Sequence, residues 1–235
     1  MYNLAKINFN SRVWGDVIVT PRLELIMTAS DEFTKAELLC SIIHLNERVS
    51  PIIFFRNLSE HEHIEFFQLI LDNIINEPKN RRHTISINTP IQVIRNLGDF
   101  FQQLHNNKDQ HIAFELMEYD IQELNSFEYD ILEQANTFSN VSLWLDDFGN
   151  NQSNFDIIHS KNIPFSVIKV SKELFWSLIV SDSLFLKSLI TYLSKHHQVI
   201  VEGVESKKHL DFISSMKGIE MQGYFFSSQM AAAHG

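Results

Sequence analysis

Six short apolar runs in this chain end on, or close to, side chains that can bind a cation or move a proton. Asn88 closes Thr84–Asn88, Glu115 lies near the end of Ile112–Leu116, and Asp146 closes Val141–Asp146 with Asp147 following. Lys169 lies in Val167–Ser171, Glu202 in Val199–Val204 and Gln222 in Ile219–Phe226. One Asp or Asn after a strand is most simply a helix N-cap. A series of charges in runs this apolar is costly unless they share a polar centre. Carboxylates and a carboxamide without His or Cys partners make a hard oxygen cage, suited to Mg²⁺ or Mn²⁺. At a strand end where alternation stops, adjacent Asp146 and Asp147 can face one centre and bridge two ions. Such a pair clamps the attacking and departing oxygens of an in-line phosphoryl displacement. Lys169 would then orient the nucleophilic water or help deprotonate it.

The elements that must position these groups follow from spacing. Successive runs begin between 20 and 32 residues apart, the interval of right-handed strand–helix–strand crossovers. Helical patterns fill the gaps over Pro90–Leu104, Ile121–Phe138, Phe155–Ser160, Glu173–Lys195 and Ser206–Met216. Upstream, Thr34–Glu47 and Ile64–Ile75 also read as helices, and Val17–Met27 as a strand after a turn near Gly15–Asp16. The expectation is an α/β fold, a TIM-type (β/α)8 barrel with an irregular or antiparallel first strand, in one domain over residues 1–235. Periodicity alone leaves an open doubly wound sheet as the competitor. In a barrel, these side chains would meet at the carboxyl end of the strands, where barrel enzymes keep their chemistry.

Composition narrows the function classes. The chain has 235 residues and a net charge of −10, which argues against duplex nucleic acid or an anionic membrane as partner. Cys40 is the only cysteine, so no intrachain disulfide forms and no cysteine-built zinc site exists. The seven glycines spell neither of the common phosphate-cradling motifs. No apolar run reaches the length of a membrane span, and the polar start MYNLAKINFN is not a signal peptide, so the expected compartment is the cytoplasm. Cys40 reads as a core residue on an apolar helix, and Phe54–Phe55 and Phe66–Phe67 as core. His61-Glu62-His63 reads as a solvated helix start, since residues two apart on a helix do not share a face.

In order and spacing, LDDFG (Leu145–Gly149), the Ile168-Lys169 pair, VEGVES (Val201–Ser206) and QGYFFS (Gln222–Ser227) resemble the EAL-domain cyclic-di-GMP phosphodiesterases of bacteria. SIN ending at Asn88 and FELMEYD with Glu115 and Glu118 add to the likeness, which runs from Phe9 to Met230. The resemblance implies a barrel that hydrolyses cyclic di-GMP to linear pGpG with two Mg²⁺ or Mn²⁺ ions. It implies metal ligands at Glu24, Asn88, Glu115, Asp146, Asp147 and Glu202, with Asp146 bridging. Lys169 matches a lysine near the attacking water, and Gln222 a glutamine that holds that water or the substrate. Glu118 matches a glutamate that steadies the loop after the Asp pair, and the family's behaviour implies a homodimer.

The chain departs from the family's pattern in several places. The eponymous tripeptide is read as Glu24-Leu25-Ile26, which puts the substrate-binding arginine four positions later on Thr28. The aspartate two residues after the lysine is Ser171, the loop after the Asp pair reads Asn150-Asn151-Gln152-Ser153, and a proline of the last motif is Gln229. These departures support an alternative, a catalytically inactive domain that binds cyclic di-GMP or a protein partner. The acidic charge itself does not exclude such a ligand, because two divalent cations at the mouth would reverse the local sign.

Overall fold

The computed structural model describes residues 4–30, 32–77, 83–150, 156–159 and 163–226. Among the described residues, ten strands form one sheet: β1 (Ile7–Ser11), β2 (Gly15–Met27), β3 (Phe33–His44), β4 (Glu47–Val49), β5 (Thr84–Asn88), β6 (His111–Met117), β7 (Val141–Phe148), β8 (Phe165–Val170), β9 (Gln198–Val201) and β10 (Glu220–Met221). The order β2-β10-β9-β8-β7-β6-β5-β3 closes on itself through β2–β3 pairing, so eight strands make a barrel. β2 is antiparallel to both neighbours, β3 and β10, and the remaining pairs around the ring are parallel. The expected barrel with an antiparallel first strand is therefore the observed fold. β2 and β3 continue past the ring, where β1 pairs with β2 and β4 with β3 as an antiparallel flap.

The helices α1 (Pro51–Arg56), α2 (Glu60–Ile75), α3 (Ile91–Ile94), α4 (Leu97–His105), α5 (Glu118–Gln122), α6 (Ser126–Gln134), α7 (Asp156–His159), α8 (Lys172–Ser181), α9 (Ser183–Leu193) and α10 (Lys207–Ser214) connect the strands. Phe9, Phe54, Phe55 and Phe66 pack edge to face, with centroids 5.1–6.2 Å apart. These rings fasten the flap to α1 and α2.

Several local expectations are corrected. Pro90–Leu104 divides into α3 and α4, and Ile121–Phe138 into the end of α5 and α6 with a short turn after it. Thr34–Glu47 forms strands, not a helix. The segment Ala36-Glu37-Leu38-Leu39 has helix-favouring residues, but pairing with β2 on one side and β5 on the other outweighs that preference. Cys40 accordingly sits half-buried on β3, where burial pushes its thiol up to about 12, which leaves it unreactive. The stretch Glu173–Lys195 breaks into α8 and α9 at Asp182, whose side chain accepts from Phe185 N at 2.9 Å and caps α9. Finally, Glu62 and His63 are buried and only His61 is exposed.

Glu62 closes a capping box with Ser59 and also accepts from Arg12 N at 2.7 Å. The Ser59 hydroxyl, Arg12 N–H and Ser59 N–H hold its carboxyl down at about 2. A depressed carboxylate stabilises the fold above its unfolded pKa, and that contribution fades as pH falls toward the folded value. Glu62→Gln is expected to lower stability at pH 7 by about 1–2 kcal/mol. The gap to wild type should narrow at pH 3, as read by urea denaturation at the two pH values.

Candidate active site

Strand alternation builds the site in two layers. Ile26, Ala113, Trp144, Val167 and Ile200 form a small buried cluster apart from the main core. Two residues further toward the carboxyl mouth on the same five strand segments stand Glu24, Glu115, Asp146, Lys169 and Glu202. Side chains two apart on a strand share a face, so an apolar floor carries a charged layer. β2 runs the other way, which is why its acid precedes its floor residue.

Lys169 is the centre of that layer. Its Nζ lies 2.9 Å from Asp146 Oδ1, 2.9 Å from Glu202 Oε1, 3.1 Å from Glu37 Oε2 and 3.2 Å from Glu115 Oε2. Glu37 was not among the side chains expected here. It accepts from Asn88 Nδ2 at 2.9 Å and from Gln222 Nε2 at 2.6 Å. Glu24 is its cross-strand partner in the β2–β3 ladder and is half-buried at the edge of the cluster. With Asp147, Glu202 and Gln222, Glu24 lines a polar cavity of about 360 Å³. The signal for Glu37 was its place in Ala36-Glu37-Leu38, hidden by the helical reading of that segment. Counted from Glu37, the position four residues on is Ser41.

The charges are unequal. Burial opposes the charge on Lys169, yet Asp146, Glu115, Glu202 and Glu37 hold its ammonium well above the ordinary lysine range. Glu37 stays ionised below the usual range despite burial, because Lys169, Gln222 and Asn88 all favour its carboxylate. Burial raises Glu115 well above the ordinary value, with Glu37 and Asp146 adding to the rise against Lys169. Burial also pushes Glu202 up to about 8, against the pull of Lys169. Glu24 and Asp147 are raised, first by burial and then by Glu37 and Asp146 respectively. One ammonium cannot neutralise this many carboxylates.

The supports are local. Asp147 takes φ 55 beside a register slip between β7 and β8, which turns it toward the mouth next to Asp146. Gly149 follows at φ 92, and a Cβ there would stand 2.3 Å from Leu174 Cδ2. Its N–H donates to Glu118 Oε2 at 3.2 Å, so Glu118 fixes the turn after the Asp pair. Ser171 is buried and caps α8 through Leu174 N, while its own N–H donates to Phe148 O. Trp176 Nε1 donates to Gly203 O at 2.8 Å, holding the turn that follows Glu202. Residues 151–153, Ser227, Gln229 and Met230 lie outside the described residues.

The donor set fits a hard divalent cation. Among the described residues, five buried side-chain polar atoms have no hydrogen-bond partner, and three of them are acceptor oxygens of this layer: Glu115 Oε1, Asp146 Oδ1 and Gln222 Oε1. The Asp146 oxygen is close to the ammonium but outside hydrogen-bond geometry. Among the described residues no three His, Cys, Asp or Glu are already spaced to hold an ion, because the carboxylates close on Lys169. No helix among them is long and apolar enough to cross a membrane.

A profile of the EAL domain matches residues 19–229, and the chain belongs to that family. Cyclic di-GMP phosphodiesterase PdeH of Escherichia coli (strain K12) is 32% identical over 103 residues, spanning 41% of this chain and 40% of PdeH. The EAL enzyme Bd1971, solved with cAMP and cyclic di-GMP, superposes with a TM-score of 0.74 at 20% identity, over 89% of this chain and 61% of Bd1971. The FimX EAL domain of Pseudomonas aeruginosa, solved with c-di-GMP, gives 0.72 at 17% identity over 88% of each chain. This chain thus spans well under two thirds of PdeH and somewhat under two thirds of Bd1971.

Because three buried carboxylates and the partly buried Glu202 share Lys169, Lys169→Met should destabilise the protein by about 3–5 kcal/mol, the cost of leaving buried charge unpaired. Urea denaturation of chelator-treated protein measures it. A loss below 1 kcal/mol would mean that the acids do not depend on the ammonium.

Proposed function

We propose that this chain is a metal-dependent phosphodiesterase that hydrolyses cyclic di-GMP to linear pGpG. The observation that carries this reading is the convergence of acids from β3, β6, β7 and the end of β9 on Lys169 at the carboxyl mouth of the barrel. Glu37, Asn88, Glu115, Asp146, Asp147 and Glu202 would hold two Mg²⁺ or Mn²⁺ ions. BlrP1 of Klebsiella pneumoniae, a fold neighbour at 18% identity with a TM-score of 0.73, was solved with manganese and cyclic di-GMP. In this assignment Glu37 takes the part that the family resemblance implied for Glu24, since Glu37 contacts Asn88, Lys169 and Gln222 directly. Glu24 stays beside it on the ladder. When bound, the ions supply Lewis acidity at the phosphodiester and a water that gives up its proton near neutral pH.

The chain's own groups do the rest. As an ammonium, Lys169 is a donor and a fixed positive charge, so it stabilises charge developing on the phosphoryl oxygens and does not act as the base. Gln222 Oε1 is free to accept a hydrogen bond from the attacking water. As the water oxygen bonds to phosphorus, one P–O bond of the ring breaks. A proton leaves the water and one is returned to the departing sugar oxygen, giving a linear dinucleotide with a terminal phosphate. Glu118 keeps Asp147 in place through Gly149. Retention of the whole acid set with Lys169 favours catalysis over simple binding.

Purified protein with Mg²⁺ or Mn²⁺ should convert cyclic di-GMP to pGpG by chromatography, and chelation should stop it. Asp146→Asn and Glu37→Gln should each lower kcat about 100-fold or more, with Glu24→Gln retaining a larger share. Binding without turnover in wild type would instead identify a receptor.

A further inference from the structure

Arg22 lies on β2 two residues from Glu24, so both project from the same face of the strand. Because β2 is antiparallel, the order Ile26, Glu24, Arg22 climbs from the apolar floor through the acid layer to the rim. Across the ladder Arg22 faces Leu39, and its same-face diagonal neighbours are Ser41, opposite Thr20, and Glu37, opposite Glu24. Glu37 is already engaged by Lys169, Asn88 and Gln222. Arg22 is exposed, feels the charge of Glu24, and has no ion pair or hydrogen bond for its guanidinium among the described residues. It lines a cavity of about 640 Å³, walled mainly by apolar side chains with Arg56 and Asp120 among them, that also reaches Asn88, the residue bonded to Glu37. Asn88 thus links that cavity to the acid layer.

A cyclic dinucleotide carries two phosphodiesters in one small ring. When one is held at the acid layer for cleavage, the other stays close to the mouth and faces an excess of carboxylates. We infer that Arg22 is the specificity-determining residue that receives this second, uncleaved phosphodiester through its guanidinium. The inference rests on the cyclic-di-GMP reading above. A planar, always-charged fork is suited to two phosphoryl oxygens at once, and no charged partner holds it elsewhere among the described residues.

The test compares cyclic di-GMP with bis(p-nitrophenyl) phosphate, which has a single phosphodiester, in the full chain with Mn²⁺. For Arg22→Ala, the ratio of kcat/KM on cyclic di-GMP to that on the single phosphodiester should fall about 10- to 100-fold. The loss should appear in KM, with Arg22→Lys falling less and the wild-type KM alone rising steeply with salt. An unchanged ratio, or a loss confined to kcat, would overturn the assignment while leaving the phosphodiesterase reading standing. Wild-type protein that neither binds nor hydrolyses cyclic di-GMP would overturn both.

Discussion

Four carboxylates around the Lys169 ammonium set the terms for the upper half of this barrel. Burying one charge without a partner is prohibitive, and burying several of like sign is worse. The cluster survives because Lys169 reaches Glu37, Glu115, Asp146 and Glu202 together, and because Asn88 and Gln222 donate to Glu37. Compensation is incomplete, as the raised Glu115 and Glu202 show. The remaining negative charge makes protons or divalent cations the natural occupants of the mouth. Stability and ligand preference therefore share one cause: the layer folds around an internal cation and is left short of positive charge.

The antiparallel β2 gives this barrel its second constraint. A parallel strand delivers its mouth residue at its carboxyl end, whereas β2 delivers Ile26 to the floor, Glu24 to the acid layer and Arg22 to the rim as the chain is read backwards. The β2–β3 ladder therefore sets two acids side by side, Glu24 against Glu37. Only Glu37 reaches Lys169. The same ladder continues into the flap, so the rim above the acids is made of backbone already fixed by β1 and β4.

Several departures from the family's pattern have local explanations. Ser171, in place of an aspartate, caps α8 and ties the end of β8 to Phe148. The divergent tripeptide follows from where the acid is sought: Glu37-Leu38-Leu39 stands in the cluster and Glu24-Leu25-Ile26 at its edge. Glu118 and Gly149 keep the turn after the Asp pair in a conformation that a larger residue at 149 would obstruct.

The parallel half of the barrel was legible because its signals are local. A strand's alternation fixes which residues share a face, so Glu115, Asp146, Lys169 and Glu202 could be assigned to a common mouth from their own neighbourhoods. Asn88 and Gln222 follow from the same reading. Glu37 could not be found this way. Its segment carries helix-favouring residues, and only pairing with β2 and β5, distant in sequence, makes it a strand. The sequence by itself determined the repeating strand–helix architecture and most of the acids. Tertiary structure alone decided which glutamate, Glu37 or Glu24, meets Lys169, because long-range strand pairing sets both the identity and the register of β3.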